Sequence, residues 1–303
     1  MDAIDKALWR ELYNNCRLSY QYLGNKLNIS ANAVKKRVDK LIETGIIVKW
    51  SLVLKPVMID VQYSFVELKT DQTHSTEELT KSISKNPNVF VILPLTTGDF
   101  ALHAFFEGAK GLLELNSFLR QIVGIQEVKV HPTTMHPGKK IELTKLHLCI
   151  LKWLFIDPRM NLSHLAESSG LTVRRVRRIV EELVESDAFE FGFHWNPNAG
   201  DSMAFISRIE YDPTLITSDE IDDFIQKKYD LEYFYSHVSA IEPVMFSVFM
   251  VPHLFDMENI TKSIHAFDGV QSVIPMIYYS AKIVHPLTET KLVELLADND
   301  LWP

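Results

Sequence analysis

The chain has 303 residues, 47% of them hydrophobic and 23% charged, a globular composition long enough for two to four compact domains. No stretch approaches the roughly 18 to 20 consecutive apolar residues of a membrane helix, and the first 20 residues carry charges throughout instead of a signal-peptide apolar core, so a cytoplasmic protein with no membrane partner is expected. Cys16 and Cys149 are too few for a disulfide framework and have no zinc-ligand spacing around them, so neither a metal nor a cofactor is expected. The net charge of -8 runs against the basic footprint of nucleic-acid binders, but its distribution is uneven: residues 1–50 carry +4, 51–140 carry 0, 141–195 carry -1 and 196–303 carry -11.

In chain order, the first helix is expected from Asp2, a good N-cap, to Tyr13, with Ile4, Leu8 and Leu12 on one stripe. A second follows Ser19 and carries Tyr22, Leu23 and Leu27. Asn28 stands at the turn, where a left-handed residue is needed. A third helix starts at Ser30, places Val34, Val38, Leu41 and Ile42 on its apolar stripe, and ends at Gly45. The β-prone run Ile46 to Trp50 reads as a wing strand. The next ninety or so residues read strand, helix, strand, strand, helix, strand, near Tyr63 to Lys69, Ser75 to Lys85, Val89 to Leu93, Phe100 to Phe106, Ala109 to Ile122 and Glu127 to Pro132. This is the ferredoxin-like βαββαβ order, with Pro94 to Gly98 as the central hairpin loop.

The whole pattern then recurs. One constant shift along the chain aligns Leu8 with Ile150, Leu12 with Leu154, Leu23 with Leu165, Val34 with Val176, Val38 with Val180 and Leu41 with Leu183. The same shift puts Leu79 on Ile221, Ile83 on Ile225, Phe118 on Ile260 and Val128 on Val270, which indicates an old tandem duplication. In the second copy Asn161 caps the second helix, Gly170 replaces Asn28 at the turn, Thr172 caps the third helix, and Phe189 to Phe193 repeats the wing strand. Linkers fall at Pro137-Gly138 and Trp195-Asn196-Pro197. A last helix, Thr288 to Asp298, has no full unit behind it.

Both third helices are cationic opposite their apolar stripes. The first presents Asn32, Lys35, Lys36, Arg37 and Lys40 after its cap Ser30, and the second presents Arg174, Arg175, Arg177 and Arg178 after its cap Thr172; these residues, the two cap hydroxyls included, are the expected DNA-binding set. A solvated charged face is the ordinary reading of such a run. Its recurrence, in register, on the third helix of a cap-turn-cap arrangement points instead to double-stranded DNA, whose phosphates supply affinity and whose base edges supply specificity. Arg can fork onto guanine, Lys is a point charge and Asn can pair with adenine, so the two helices are expected to prefer different bases and the site to be asymmetric. Half-sites on one duplex face would lie about 34 to 36 Å apart or a multiple of that.

The segment from residue 2 to residue 50 resembles the Lrp/AsnC (feast/famine) family of regulators, through Asp2-x-Ile4-Asp5, Arg17-x-Ser19, Asn28-Ile29-Ser30, Val34-x-x-Arg37-Val38-x-x-Leu41 and Gly45-x-Ile47. The resemblance implies a transcriptional regulator that pairs its ferredoxin-like sheets and in many members senses an amino-acid-like effector there. It draws attention to Thr97, Gly98 and Asp99 as effector-binding residues, although Ala101 stands where the family's Asp falls and the second copy's Ser239 to Pro243 lacks the pattern. The expected domains are a winged helix-turn-helix at 1–52, a ferredoxin-like (RAM-like) domain at 57–138, a second winged helix-turn-helix at 143–195, a second ferredoxin-like domain at 201–284 and a helical tail at 286–303. Two ferredoxin-like domains on one chain would form an intrachain pseudo-dimer, open to further homo-oligomerisation. The alternative on the same fold is a sirohaem-decarboxylase-like enzyme, for which His103, His131, His136, Tyr233, Tyr235 and His237 would be the tetrapyrrole-side groups. Retention of the cationic helices favours the regulator, with no catalytic residue.

Overall fold

The computed structural model describes residues 1–134, 138–196, 199, 202–284 and 287–299. The chain forms two compact units, each drawn from both copies of the repeat. One comprises Met1–Asp60, Pro137–Asn196 and Pro286–Pro303, and the other Val61–His136 and Pro197–His285. The first holds 20 Lys/Arg against 18 Asp/Glu and the second 11 against 21, so their net charges are +2 and -10.

In the first unit, α1 (Ala3–Asn14), α2 (Tyr20–Leu27) and α3 (Ala31–Glu43) are followed by strand β1 (Ile47–Leu54) and a 3-10 turn at Pro56–Ile59. Each helix begins on the cap read from the sequence. The Asp2 side chain accepts from Asp5 N–H, Ser19 Oγ from Tyr22 N–H and Ser30 Oγ from Ala33 N–H. Leu8, Leu12, Leu23, Val34, Val38 and Leu41 are buried, as is Trp9; Tyr22 is exposed, and so is Ile42, unlike its expected place on the apolar stripe. Ile42 follows Leu41 by one residue, about 100° around the helix and off the buried face.

The two ferredoxin-like domains make up the second unit. In the first of them β2 (Gln62–Thr70), α4 (Thr76–Ile83), β3 (Val89–Pro94), β4 (Phe100–Phe106), α5 (Gly108–Arg120) and β5 (Ile125–Pro132) form an antiparallel sheet with the helices on one face. The chain then returns to the first unit for α6 (Lys145–Ile156), α7 (Leu162–Ser169), α8 (Val173–Glu185) and β6 (Phe189–Trp195). Last come β7 (Met203–Tyr211), α9 (Ser218–Lys228), β8 (Tyr233–Val238), β9 (Val244–Val251), α10 (Leu254–His265), β10 (Val270–Ile277), a short β11 (Lys282–Ile283) and α11 (Leu287–Ala297).

The wing strands differ from expectation in their partner. Neither stands as the wing of its own copy: β1 and β6 pair with each other, antiparallel, with Trp50 opposite Phe193 and Leu52 opposite Phe191. A lone strand leaves its N–H and C=O groups unpaired, and each copy's strand satisfies the other's. The strand accordingly runs four residues past the Trp50 at which the sequence pattern ended it. The ribbon lies over a core of Cys16, Leu52, Leu54, Leu148, Leu151, Val176, Phe189 and Phe191, to which α11 adds Leu292 and Leu296.

In the second unit the strand orders are β11-β3-β4-β2-β5 and β10-β7-β9-β8. The helix-free faces of the two sheets meet over Phe65, Leu93, Ala101, Ile206, Phe246, Val248 and Tyr278, with Phe65 and Phe246 stacked at 4.1 Å. Beyond β10 the chain crosses to the other sheet, where Lys282 and Ile283 of β11 pair with Ile92 and Val91 of β3.

Candidate nucleic-acid interface

The turn before each third helix is closed by one left-handed residue. Asn28 has φ 57° and Gly170 φ 67°, the latter in a conformation that costs glycine nothing. Thr172 Oγ1 accepts from Arg175 N–H as Ser30 does from Ala33, so both hydroxyls proposed for DNA serve here as caps. Beyond the caps, Asn32, Lys35, Lys36 and Lys40 of α3 and Arg174, Arg175, Arg177 and Arg178 of α8 are exposed. Lys35 lies 3.8 Å from Asp39 and Arg178 Nε 3.2 Å from Glu182, each one helical turn on. Lys36, Lys40, Arg174, Arg175 and Arg177 have no ion-pair partner among the described residues. Their charge is therefore uncompensated at the surface, the condition that draws polyanions.

Arg37 departs from the expected outward face. Its guanidinium turns back onto α1 and bonds Asp2 and Asp5, 2.6 Å from each carboxylate, and Asp5 is almost wholly buried. The repeat register carried a signal for this, because the equivalent position of the second copy is Ile179, which is buried.

Thr97, Gly98 and Asp99 form a tight hairpin between β3 and β4. Gly98 takes φ 87°, and a side chain there would run into Gln72. The Asp99 carboxylate accepts from Thr70 N–H at 3.0 Å and from Thr97 Oγ1 at 3.1 Å, while Thr70 Oγ1 donates to Gly98 O and Gln72 Nε2 to Thr97 O. The three residues are brought together, and their polar groups are engaged with the hairpin and β2.

Of the histidines named for the enzyme alternative, His103, His131 and His237 fall between the two sheets. The Tyr63 hydroxyl bonds His103 Nδ1 and lies 3.1 Å from His237 Nε2. Burial holds His103 down at about 4 and, with His103 beside it, His237 well below the ordinary imidazole range. His131 is held by Ser239 Oγ at 3.1 Å and Glu67 Oε1 at 3.0 Å, and Arg208 Nε donates to the same carboxylate. Burial alone would raise the Glu67 carboxyl, but the bonds from His131 and the charge of Arg208 outweigh it and hold the group below its usual range. Tyr233 points to the helix side of its sheet, bonding Asp222, and Tyr235 packs on His237. His136 lies outside the described residues. No group of three metal-ligating side chains occurs among the described residues, and no helix among them is long and apolar enough to cross a membrane. The cross-sheet Glu67–Arg208 pair was not singled out in the sequence, where two charges in hydrophobic strands of different copies give little hint that they face each other.

Comparison with known proteins places this geometry. A family model described as winged helix-turn-helix DNA-binding matches residues 1–48. An HTH-type transcriptional regulator of Pyrococcus horikoshii is 30% identical over 126 residues, 40% of this chain and 79% of that protein. The HTH-type regulator LrpA of Bacillus subtilis is 35% identical over 75 residues, 24% of this chain and 55% of that one. The chain is thus an HTH-type, DNA-binding transcriptional regulator, and it belongs to the Lrp/AsnC family. The sirohaem decarboxylase NirDL shares the fold along 99% of this chain and 100% of its own, with a TM-score of 0.58 at 11% identity. That likeness is one of fold alone.

Proposed function

We propose that the chain regulates transcription by reading an asymmetric duplex site with two unequal helices, α3 and α8, both presented by the unit of net charge +2. The observation that carries this is the pair of capped third helices with uncompensated cations on their outer faces. Asn32, Lys35, Lys36 and Lys40 would serve one half-site and Arg174, Arg175, Arg177 and Arg178 the other, with the Arg forks favouring guanine. The unit of net charge -10 stays off DNA and supplies the intrachain sheet pairing, leaving its outer surface for homo-oligomer contacts. The test is affinity for duplex DNA against salt. About six neutralised phosphates give a slope of log K on log salt near -5. A chain whose duplex binding ignores salt, or survives replacement of all four α8 arginines by alanine with no change at either half-site, does not read DNA in this way.

An amino-acid-like effector would act at the Thr97-Gly98-Asp99 hairpin, exchanging the internal bonds to Thr70 and Gln72 for bonds to the ligand. Calorimetric titration with the free amino acids, lost in Gly98→Val, tests it. A catalytic role is not part of the proposal. His103, His131 and His237 are each less than a tenth exposed, and the bonds of His237 to Tyr63 and of His131 to Ser239 join the two copies and serve the sheet pairing. Stoichiometric binding of an iron tetrapyrrole by a chain that shifts no DNA would reverse that assignment.

A further inference from the structure

The two readers belong to one compact unit, but among the described residues the only sheet between them is the two-stranded β1–β6 ribbon. A two-stranded ribbon is marginal by itself and twists readily. The core beneath it joins the copies through Cys16, Leu52 and Leu54, and a fixed half-site spacing further needs the helix heads beside that core to be held. Two arginines at the same register of the repeat, Arg17 in the first copy and Arg159 in the second, lie at that seam.

Arg17 sits between α1 and α2 of the first copy and reaches the α6–α7 turn of the second. Its Nη1 donates to Pro158 O at 2.5 Å and its Nη2 to Met160 O at 3.0 Å. Arg159 stands in that same turn and reaches back, its guanidinium over the ring of Tyr20, the first residue of α2, and over the ring of Trp50 in β1, 4.8 Å from each. The Arg159 backbone N–H is tied to Asp157 Oδ1 at 2.9 Å, and Cys16 N–H, next to Arg17, donates to Phe191 O of β6 at 2.7 Å. Each arginine therefore leaves its own copy for the other: Arg17 is hydrogen-bonded there, while Arg159 lies against two rings with its Nη1 buried and without a hydrogen-bond partner among the described residues. One uses a fork on carbonyls and the other a planar face on two aromatic rings, both of which need a guanidinium. Because α2 packs on α3 and α7 on α8, fixing the head of α2 against the α6–α7 turn fixes the two readers relative to each other.

We propose that Arg17 and Arg159 are positioning residues that set the distance and angle between α3 and α8, and so the half-site spacing the chain accepts. The inference rests on the two-reader proposal above and deepens it. Neither arginine touches DNA in this account: they act through the seam, as the tether between two binding modules sets the gain from engaging both.

The test is selection of duplexes from a randomised library by the full-length chain and its variants, followed by affinity for the selected composite site and for each half-site alone. Wild type is expected to enrich two unlike half-sites at one spacing. Arg17→Ala and Arg159→Ala should enrich the same half-sites over several spacings and lose about tenfold or more on the composite site, with each single half-site bound within about twofold of wild type. Where an alanine variant does not fold, Arg17→Lys and Arg159→Lys keep the charge and lose the fork or the planar face, and the same broadening is expected. A folded variant with the wild-type spacing and affinity overturns the inference, and so does one that loses single half-sites in parallel, since that is damage to a reader. If wild type enriches no duplex, the DNA reading itself fails, in an arm that contains no variant, and takes the inference with it.

Discussion

The third helix of the first copy turns Lys35, Lys36 and Lys40 outward and Arg37 inward onto Asp2 and Asp5, whereas that of the second copy turns four arginines outward and buries Ile179 where Arg37 would be. Register by register, Asn32 becomes Arg174, Ala33 becomes Arg175, and Lys35 and Lys36 become Arg177 and Arg178, while Lys40 becomes Glu182. The buried stripe has kept its shape and the outer face has been rewritten. Packing constrains the inner positions to apolar residues of similar volume, or to a polar pair that satisfies itself, while the solvent face is free to follow whatever it contacts.

The largest effect that sharpens this comparison is on DNA. Replacing Arg174, Arg175, Arg177 and Arg178 together by alanine should cost about 4 kcal/mol on the composite site, on the order of a thousandfold, if two bidentate contacts of about 2 kcal/mol each are lost. Lys36→Ala and Lys40→Ala should weaken all duplexes alike and each lower the salt slope by about 1, as anisotropy titrations at several salt concentrations will show. Equal, sequence-independent losses from both helices would make the second reader a phosphate clamp only.

The next concerns the sheet pairing. His103 is held down to about 4 in the fold against an ordinary 6.5, so the unfolded chain takes up more protons between those values. Stability is therefore full above about pH 6.5 and falls as the pH drops towards 4, by about 3 kcal/mol for this one group. His237 is shifted in the same direction and adds to the loss. Urea unfolding at pH 5 and pH 7.5 measures it, and His103→Phe should flatten the dependence. A pH-independent unfolding midpoint across that window would contradict the buried cluster.

Smaller again is Arg37→Ala, which leaves the buried Asp5 carboxylate without its cation and should cost about 2 kcal/mol of unfolding free energy. The double change Asp5→Leu with Arg37→Ile, which removes both charges and puts at 37 the residue type of Ile179, should recover most of that loss. Smallest are the caps: Ser30→Ala and Thr172→Ala should each cost about 1 kcal/mol of thermal stability, with equal losses in the two copies because the cap geometry is the same.

Much of the secondary structure was legible beforehand because it depends on short-range rules. Caps at Asp2, Ser19, Ser30, Asn161 and Thr172, left-handed turns at Asn28 and Gly170, and the βαββαβ order all act within a few residues of themselves. The exposed cationic faces of α3 and α8 were legible too, apart from Arg37, where helical period alone cannot tell an outward arginine from one that bends back to a carboxylate on another helix. The sequence by itself determined the repeat, its elements and the chemistry of the two outer faces, since periodicity and capping are local. Only the tertiary structure decided that the two wing strands pair with each other, that the sheets of the two copies share Tyr63, His103 and His237, and that Arg17 and Arg159 exchange places across the seam. Those contacts join residues of different copies, far apart along the chain, and pairing at that range is chosen by which edges and faces remain unsatisfied once each copy has folded.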